Sequence, residues 1–231
     1  MLRRDYALDG EEFKELTIVK WRRTFASTVP ALMPVAMRAV FLVTTNTFGR
    51  HRGYQAGFAV YWATCWAAAA GIAGPGRLAR TFRRGSSLPV PRALAILALA
   101  FPATGAVATE FAPHVRRAGP AATAASIGIG LTNALAEEAF WRALPVALFP
   151  DDPWRGWLWP AAGFTTWHVV PLRTAGAPAG RTTALIVGAG LIGLGYGWVA
   201  FKTHSVAQTI GPHAITDASG VRVAKTMWLG A

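Results

Sequence analysis

The sequence predicts an all-α protein, a polytopic transmembrane helix bundle of about six to eight helices. Hydrophobic residues make up 53% of the 231 residues and charged residues only 15%, whereas roughly 25% of the residues in a soluble domain are charged. The apolar residues are also gathered into blocks close to the ~20 residues that a helix needs to cross a bilayer. These two observations exclude an ordinary soluble enzyme with a single anchor.

Six apolar blocks are long enough to span a membrane, and a seventh is shorter and more polar. The six cover residues 26–48, 53–73, 93–112, 121–149, 154–171 and 183–201, and the seventh covers 205–220. The first block follows 24 residues that are rich in charge, so it does not resemble a cleavable signal. We therefore expect residues 1–24 to form a basic N-terminal segment, either a helix on the membrane surface or a tail.

The net charge of +12 could indicate a nucleic-acid partner, but its distribution favours a membrane topology. Six basic residues precede the first block and five lie in the connection between the second and third blocks, whereas the short loop around His51 has two. Basic residues concentrate on the cytoplasmic side of membrane proteins. The pattern therefore predicts a cytoplasmic N-terminus, the lipid bilayer as a partner, and no nucleic acid.

The fourth block carries the densest set of polar side chains, namely Asn133, Glu137, Glu138 and Arg142. A charge at the centre of a membrane helix costs roughly 2.5–3.5 kcal/mol on insertion scales, so such residues are candidates for a functional site. Glu138 and Arg142 are four residues apart and share a helix face, which pairs this carboxylate with a cation. Glu137 points about 100° away and must find its partner on another helix. A carboxylate in that position suits a general base.

Two later blocks supply histidines. His168 lies in the fifth block, and the seventh contains His213 and Asp217, which are four residues apart and therefore share a helix face. One buried histidine is usually a packed core residue. Two histidines, two glutamates and an arginine in three apolar blocks are harder to explain by packing alone, so the sequence predicts an intramembrane catalytic cavity.

Three segments together resemble the motifs of the CPBP family, the CAAX-protease and bacteriocin-processing intramembrane endopeptidases. Residues 137–142 (EEAFWR) resemble the Glu-Glu-x-x-x-Arg motif, residues 164–168 (FTTWH) the second motif, and residues 213–217 (HAITD) the third, His-x-x-x-Asn/Asp. The motifs follow one another in the family's order within residues 121–220. Residues 1–120 contribute only apolar spans to the resemblance.

The resemblance implies hydrolysis of peptide bonds in membrane-associated peptide or protein substrates. Glu137 and His168 would activate the attacking water, and His213 with Asp217 would correspond to the groups that stabilise the tetrahedral oxyanion. The remaining motif residues would orient the site or hold the substrate; they are Glu138, Arg142 and Phe164.

The resemblance also suggests a division of the chain and a location in a bacterial plasma membrane. Residues 1–24 form the basic N-terminal segment, 25–120 the first three spans with their basic loop, 121–220 a catalytic CPBP-type core, and 221–231 a C-terminal tail.

Asp217 stands where some members of the family have asparagine. An asparagine amide can donate a hydrogen bond to an oxyanion, whereas an ionised aspartate cannot and would repel it. Asp217 is therefore either protonated or a carboxylate that orients and charges His213. We favour the second interpretation.

The residues leave metal dependence open. Glu137, His168 and His213 could together bind zinc, but the sequence has no His-Glu-x-x-His motif, and the resemblance implies a mechanism that uses no metal. We therefore expect no cofactor, with zinc at these three residues as the alternative.

Two other functions fit some of the residues. A non-proteolytic immunity or scaffold protein of the same fold would leave a full set of catalytic residues without a use. A small proton- or ion-coupled transporter would use intramembrane glutamates and histidines, but the inverted repeats or broken helices of transporters are not evident in the sequence.

Overall fold

The computed structural model describes residues 10–231 apart from 84, 86 and 90, and the side chains of these residues except 10–16 and 181. The described residues form helices, turns and short connections and contain no strand. This confirms the predicted all-α class. Residues 1–9 of the predicted N-terminal segment lie outside the described part of the chain.

Long helices alternate with short ones along the chain. The α-helices are α1 (Gly10–Phe48), α2 (Arg50–Ala73), α3 (Pro75–Thr81), α4 (Arg92–Ala106), α5 (Val115–Ala118), α6 (Pro120–Glu137), α7 (Leu144–Leu148), α8 (Trp159–Trp167), α9 (Val169–Thr174), α10 (Ala179–Thr203), α11 (Ile210–Ala218) and α12 (Val221–Val223). Further segments are π-helical, at Val107–Phe111, Glu138–Ala143, Trp154–Leu158 and Ala224–Trp228. The first helix runs without a break past residue 24, where the sequence suggested a boundary.

By length and composition, four helices within the described residues can cross a membrane: Thr17–Phe48, Arg50–Ala73, Arg92–Phe111 and Thr182–Thr203. They correspond to the first, second, third and sixth predicted blocks, and they make the fold a helical membrane bundle. The fourth and fifth blocks are helical too, but the π-helical segment Glu138–Ala143 interrupts one and a turn at His168 divides the other. These two interrupted blocks carry Glu137, Glu138 and His168 of the candidate site.

Close helix crossings bring the site together, and glycines permit them. A Cβ atom on Gly130 of α6 would lie 2.5 Å from the backbone nitrogen of Ala218 in α11. A Cβ atom on Gly163 of α8 would lie 2.6 Å from the carbonyl oxygen of Pro30 in α1. Small residues allow such approaches in membranes, where lipid provides no hydrophobic drive for association. The first crossing sets the separation between the end of α6 and the polar face of α11.

Candidate active site

The three motifs meet inside the bundle. Glu137 is the last residue of α6, Glu138 begins the following π-helical segment, and His213 lies in α11. Their side chains are only 1%, 0% and 1% exposed, respectively. Short π-helical segments inside helices occur often at functional sites. The residues that the sequence placed on separate blocks therefore form one buried cluster.

Glu138 anchors the ring of His213. Its Oε1 accepts a hydrogen bond from His213 Nδ1 at 2.8 Å and lies 3.4 Å from Nη1 of Arg142, the partner expected from the sequence. Its Oε2 accepts a hydrogen bond from the Thr209 hydroxyl at 2.6 Å. Because the carboxylate can only accept, Nδ1 of His213 carries a proton. Glu138 thus fixes the ring and directs Nε2 toward the other acidic residues.

Glu137 finds its partners on other helices. Its Oε1 accepts hydrogen bonds from the Tyr61 hydroxyl and the Trp167 indole, both at 2.9 Å. Its Oε2 lies 3.3 Å from His213 Nε2 and, within the described residues, has no hydrogen-bond partner. A buried polar atom without a partner usually has a functional or solvent-related reason. The two oxygens of Glu137 are therefore in different environments.

Asp217, like Glu137, lies near Nε2 of His213, whereas Glu138 contacts Nδ1. Its Oδ2 is 3.5 Å from Nε2 and accepts a hydrogen bond from Nδ2 of Asn133 at 2.8 Å. The Oδ1 atom of Asn133 accepts from the indole of Trp62 at 2.8 Å, and because an indole can only donate, the orientation of the amide is determined. Carboxylates thus face both nitrogens of His213, with a hydrogen bond at Nδ1 and ion-pair distances at Nε2, and this arrangement favours the imidazolium ion. Glu138, rather than Asp217, holds the Nδ1 side of the ring.

His168 lies just after α8, with Nδ1 2.8 Å from the carbonyl oxygen of Phe164. Since a carbonyl only accepts, Nδ1 carries the proton, and Nε2 of the neutral ring can accept one. His168 lines a cavity of about 870 Å³ together with Glu137 and Asp217. Three of the four predicted catalytic residues therefore line this cavity, and the fourth, His213, contacts Glu137 and Asp217 without lining it.

Arg142 and Phe164 support the cluster from behind. The guanidinium carbon of Arg142 lies 4.0 Å from the centre of the Phe164 ring, a cation–π contact. The same ring meets the edges of His168 and His213, with centroid separations of 4.5 and 5.9 Å. Both side chains are almost fully buried and neither lines the cavity, which favours a structural role for them over contact with a substrate.

The cluster also has donors with the spacing of a metal site. Glu137, His213 and Asp217 each offer one atom, and these atoms lie within 4.8 Å of one another. Ligands of a tetrahedral zinc ion at about 2.0–2.1 Å are separated by about 3.3 Å, similar to the 3.3 and 3.5 Å from His213 Nε2 to the two carboxylates. Carboxylates such as Glu138 often hold the second nitrogen of a zinc-bound histidine. These residues fit zinc, with Asp217 in place of His168 from the predicted set.

Three residues that hydrogen-bond to the polar side chains of the site were missed by the sequence analysis: Tyr61, Trp62 and Thr209. Tyr61 and Trp62 lie in α2, one of the spans that resembled no motif. Neither their spacing nor their type distinguishes them from the aromatic residues that are common in membrane helices. Thr209 directly precedes α11. A threonine at the start of a helix usually indicates a capping residue, so its position gave no sign of a contact with Glu138.

Buried carboxylates and histidines inside a bundle of apolar helices define a polytopic membrane protein with an internal polar site. Residues 119–219, which contain all three motifs, match the family model described as type II CAAX prenyl endopeptidase Rce1-like. The match confirms the resemblance to the CPBP family, and it supports intramembrane endopeptidase activity as the general class of function. Comparison of the chain with curated proteins and with solved structures gave no match.

Proposed function

We propose that the protein hydrolyses peptide bonds of membrane-associated substrates, with water activated by Glu137 and His168. The observation that carries the proposal is the buried Oε2 atom of Glu137, which lacks a hydrogen-bond partner among the described residues although its side chain belongs to a residue that lines the cavity. A carboxylate oxygen in this state can accept a proton from water. The acceptor nitrogen of His168, which lines the same cavity, gives the water a second contact.

The chemistry proceeds in two steps with balanced proton transfers. The water oxygen bonds to the carbonyl carbon while one water proton moves to Glu137 Oε2, and the carbonyl electron pair becomes an oxyanion. The C–N bond then breaks, and the proton passes from Glu137 to the departing amine. His213, held by Glu138 through Nδ1, stabilises the oxyanion through the positive charge of its imidazolium, because its Nε2 atom faces Glu137 and Asp217.

Asp217 in this proposal keeps His213 protonated. Its carboxylate, 3.5 Å from Nε2, stabilises the imidazolium, and the Asn133 amide holds it in place. The proposal uses no metal. If zinc is bound, Glu137, His213 and Asp217 would hold it, and it would supply Lewis-acid polarisation of the substrate carbonyl. Activity that survives a chelator supports the first version, whereas loss that added zinc restores supports the second.

The cavity and the surrounding helices support a membrane-associated substrate. Besides the polar cluster, apolar side chains from α4 and α10 line the cavity, including Phe101, Leu185 and Ile192. Two of the helices long and apolar enough to cross a membrane include these residues. These apolar side chains support a substrate that is itself partly apolar and associated with the membrane. The basic N-terminal segment and loop support a cytoplasmic N-terminus in a bacterial plasma membrane.

The decisive experiment compares the N-termini of membrane peptides from cells that express the wild type or Glu137→Gln at equal levels. The exposed Asp151, in the turn after α7, provides the matched control Asp151→Asn, which makes the same chemical change away from the site. We expect N-termini that are present with the wild type and the control and absent with Glu137→Gln. Loss of a general base lowers the rate about 10²–10⁴-fold. Identical profiles for all three proteins would refute proteolysis.

A further inference from the structure

Tyr61 reaches the candidate base from a part of the chain that lies outside the matched region 119–219. It lies in α2 and is fully buried. Its hydroxyl donates to Glu137 Oε1 at 2.9 Å, and it accepts a hydrogen bond from the Trp141 indole at 2.8 Å. The three motifs do not include any residue of α2, so the family resemblance does not account for this contact.

The direction of each hydrogen bond follows from the donor groups. The indole of Trp141 can only donate, so the Tyr61 oxygen accepts that proton and its own hydroxyl proton is free for Glu137. The indole of Trp167 also can only donate, and it reaches the same oxygen, Oε1, at 2.9 Å. Oε1 therefore accepts two hydrogen bonds from neutral donors and has no room for a proton of its own.

The aromatic rings make this arrangement rigid. The rings of Tyr61 and Trp167 are stacked with centroids 3.8 Å apart and an angle of 22° between their planes. The Phe58 ring meets both of them edge-on, at 6.2 Å in each case. Neither donor can turn away from Oε1 without disturbing this packed cluster, because buried side chains interdigitate at near-crystalline density.

We infer that Tyr61, together with Trp167, is a positioning residue that holds Glu137 Oε1 and so makes Oε2 the atom that takes the proton from water. The inference rests on the proposed function in assigning Glu137 as the base. Tyr61 itself does not touch the substrate, since it is completely enclosed. Its role is to fix the rotation of the carboxylate and to leave one defined oxygen beside His213 and the cavity.

The test uses Tyr61→Phe in the full-length protein, because this change removes the hydroxyl and keeps the stacked ring. With a peptide cleaved by the wild type, we expect kcat to fall about tenfold, the effect of losing one hydrogen bond to an ionised group, while KM stays unchanged. Tyr54→Phe is the control, since it removes a buried tyrosine hydroxyl from the same helix and Tyr54 is not one of the residues that donate a hydrogen bond to Glu137. An unchanged kcat in Tyr61→Phe, or an equal loss in the control, would overturn the inference.

A second measurement does not depend on activity. The thermal unfolding temperature is compared for Tyr61→Phe in the wild-type and Glu137→Gln backgrounds, because a hydrogen bond to a charged carboxylate is worth about twice one to a neutral amide. We expect the loss of unfolding temperature to be about half as large in the Glu137→Gln background. Equal losses would overturn the inference. If the decrease in unfolding temperature is smaller in the Glu137→Gln background but the wild type cleaves no peptide, the contact that positions Glu137 is supported. In that case only the proposed function is refuted.

Discussion

Thr209→Val tests whether Glu138 is the anchor of the site. Thr209 is fully buried, and its hydroxyl donates to Glu138 Oε2 at 2.6 Å while also lying 3.0 Å from the carbonyl oxygen of Val206. Valine keeps the shape of the side chain and removes the hydroxyl. Glu138 would retain its contacts with His213 and Arg142 but lose the donor to its second oxygen.

The expected magnitude follows from the charge of the acceptor. A hydrogen bond to an ionised group contributes about 1.5–3 kcal/mol. Because Glu138 keeps two other partners, we expect the free energy of unfolding to fall by about 1.5–2 kcal/mol. For a chain of this length each kcal/mol shifts the unfolding temperature by roughly 2–4 °C. Thr209→Val should therefore lower the unfolding temperature by roughly 3–8 °C.

A second buried threonine provides the control. Thr81 donates its hydroxyl to the carbonyl oxygen of Leu78, three residues earlier, at 2.7 Å, which parallels the local contact between Thr209 and Val206. Thr81→Val thus removes a local hydrogen bond without affecting a carboxylate. The unfolding temperatures of the purified variants are measured in the same detergent, together with peptide hydrolysis. Equal shifts for the two variants would refute the anchoring role of Glu138.

Two further substitutions test the geometry around α11. Asp217→Asn should retain hydrolysis and move the alkaline limb of its pH–rate profile to lower pH. The reason is that the imidazolium of His213 loses a neighbouring negative charge 3.5 Å away. A folded but inactive variant would contradict this role of Asp217. Gly130→Ala should destabilise the protein by about 1–3 kcal/mol, since the new Cβ would lie 2.5 Å from the backbone nitrogen of Ala218. Gly128→Ala is the control, because a Cβ atom on Gly128 would have open space around it. This variant should leave the unfolding temperature unchanged or raise it. Similar effects of the two alanine substitutions would show that α6 and α11 do not cross closely at Gly130.

Much of the fold was predictable because the membrane constrains it strongly. A helix is the simplest way to satisfy every backbone hydrogen bond within one segment in a bilayer, so the second, third and sixth apolar blocks located their helices to within a few residues, whereas the first helix begins well before its predicted block. The prediction was less accurate for the number of long spans. The fourth and fifth blocks are interrupted at Glu138–Ala143 and at His168, and periodicity gives no signal for a π-helical segment.

The candidate site was predictable in composition and only partly in geometry. Charged residues in apolar helices are costly, so Glu137, His168 and His213 were recognisable without a structure. The pairing of Glu138 with Arg142 followed from helical spacing, and the structure contains it. The contact of Glu138 with His213 joins residues 75 positions apart, and no helical rule connects them.

The sequence by itself determined the class of fold, the motifs and the residue types that can carry acid–base chemistry, because bilayer insertion and helical spacing act locally along the chain. Only the tertiary structure decided which oxygen of Glu137 accepts hydrogen bonds, which carboxylate holds Nδ1 of His213, and that Tyr61 contacts Glu137. These contacts depend on how α2, α6, α8 and α11 cross. The crossing is set by close packing of small residues and buried rings, which are interactions between distant segments that leave no periodic trace in the sequence.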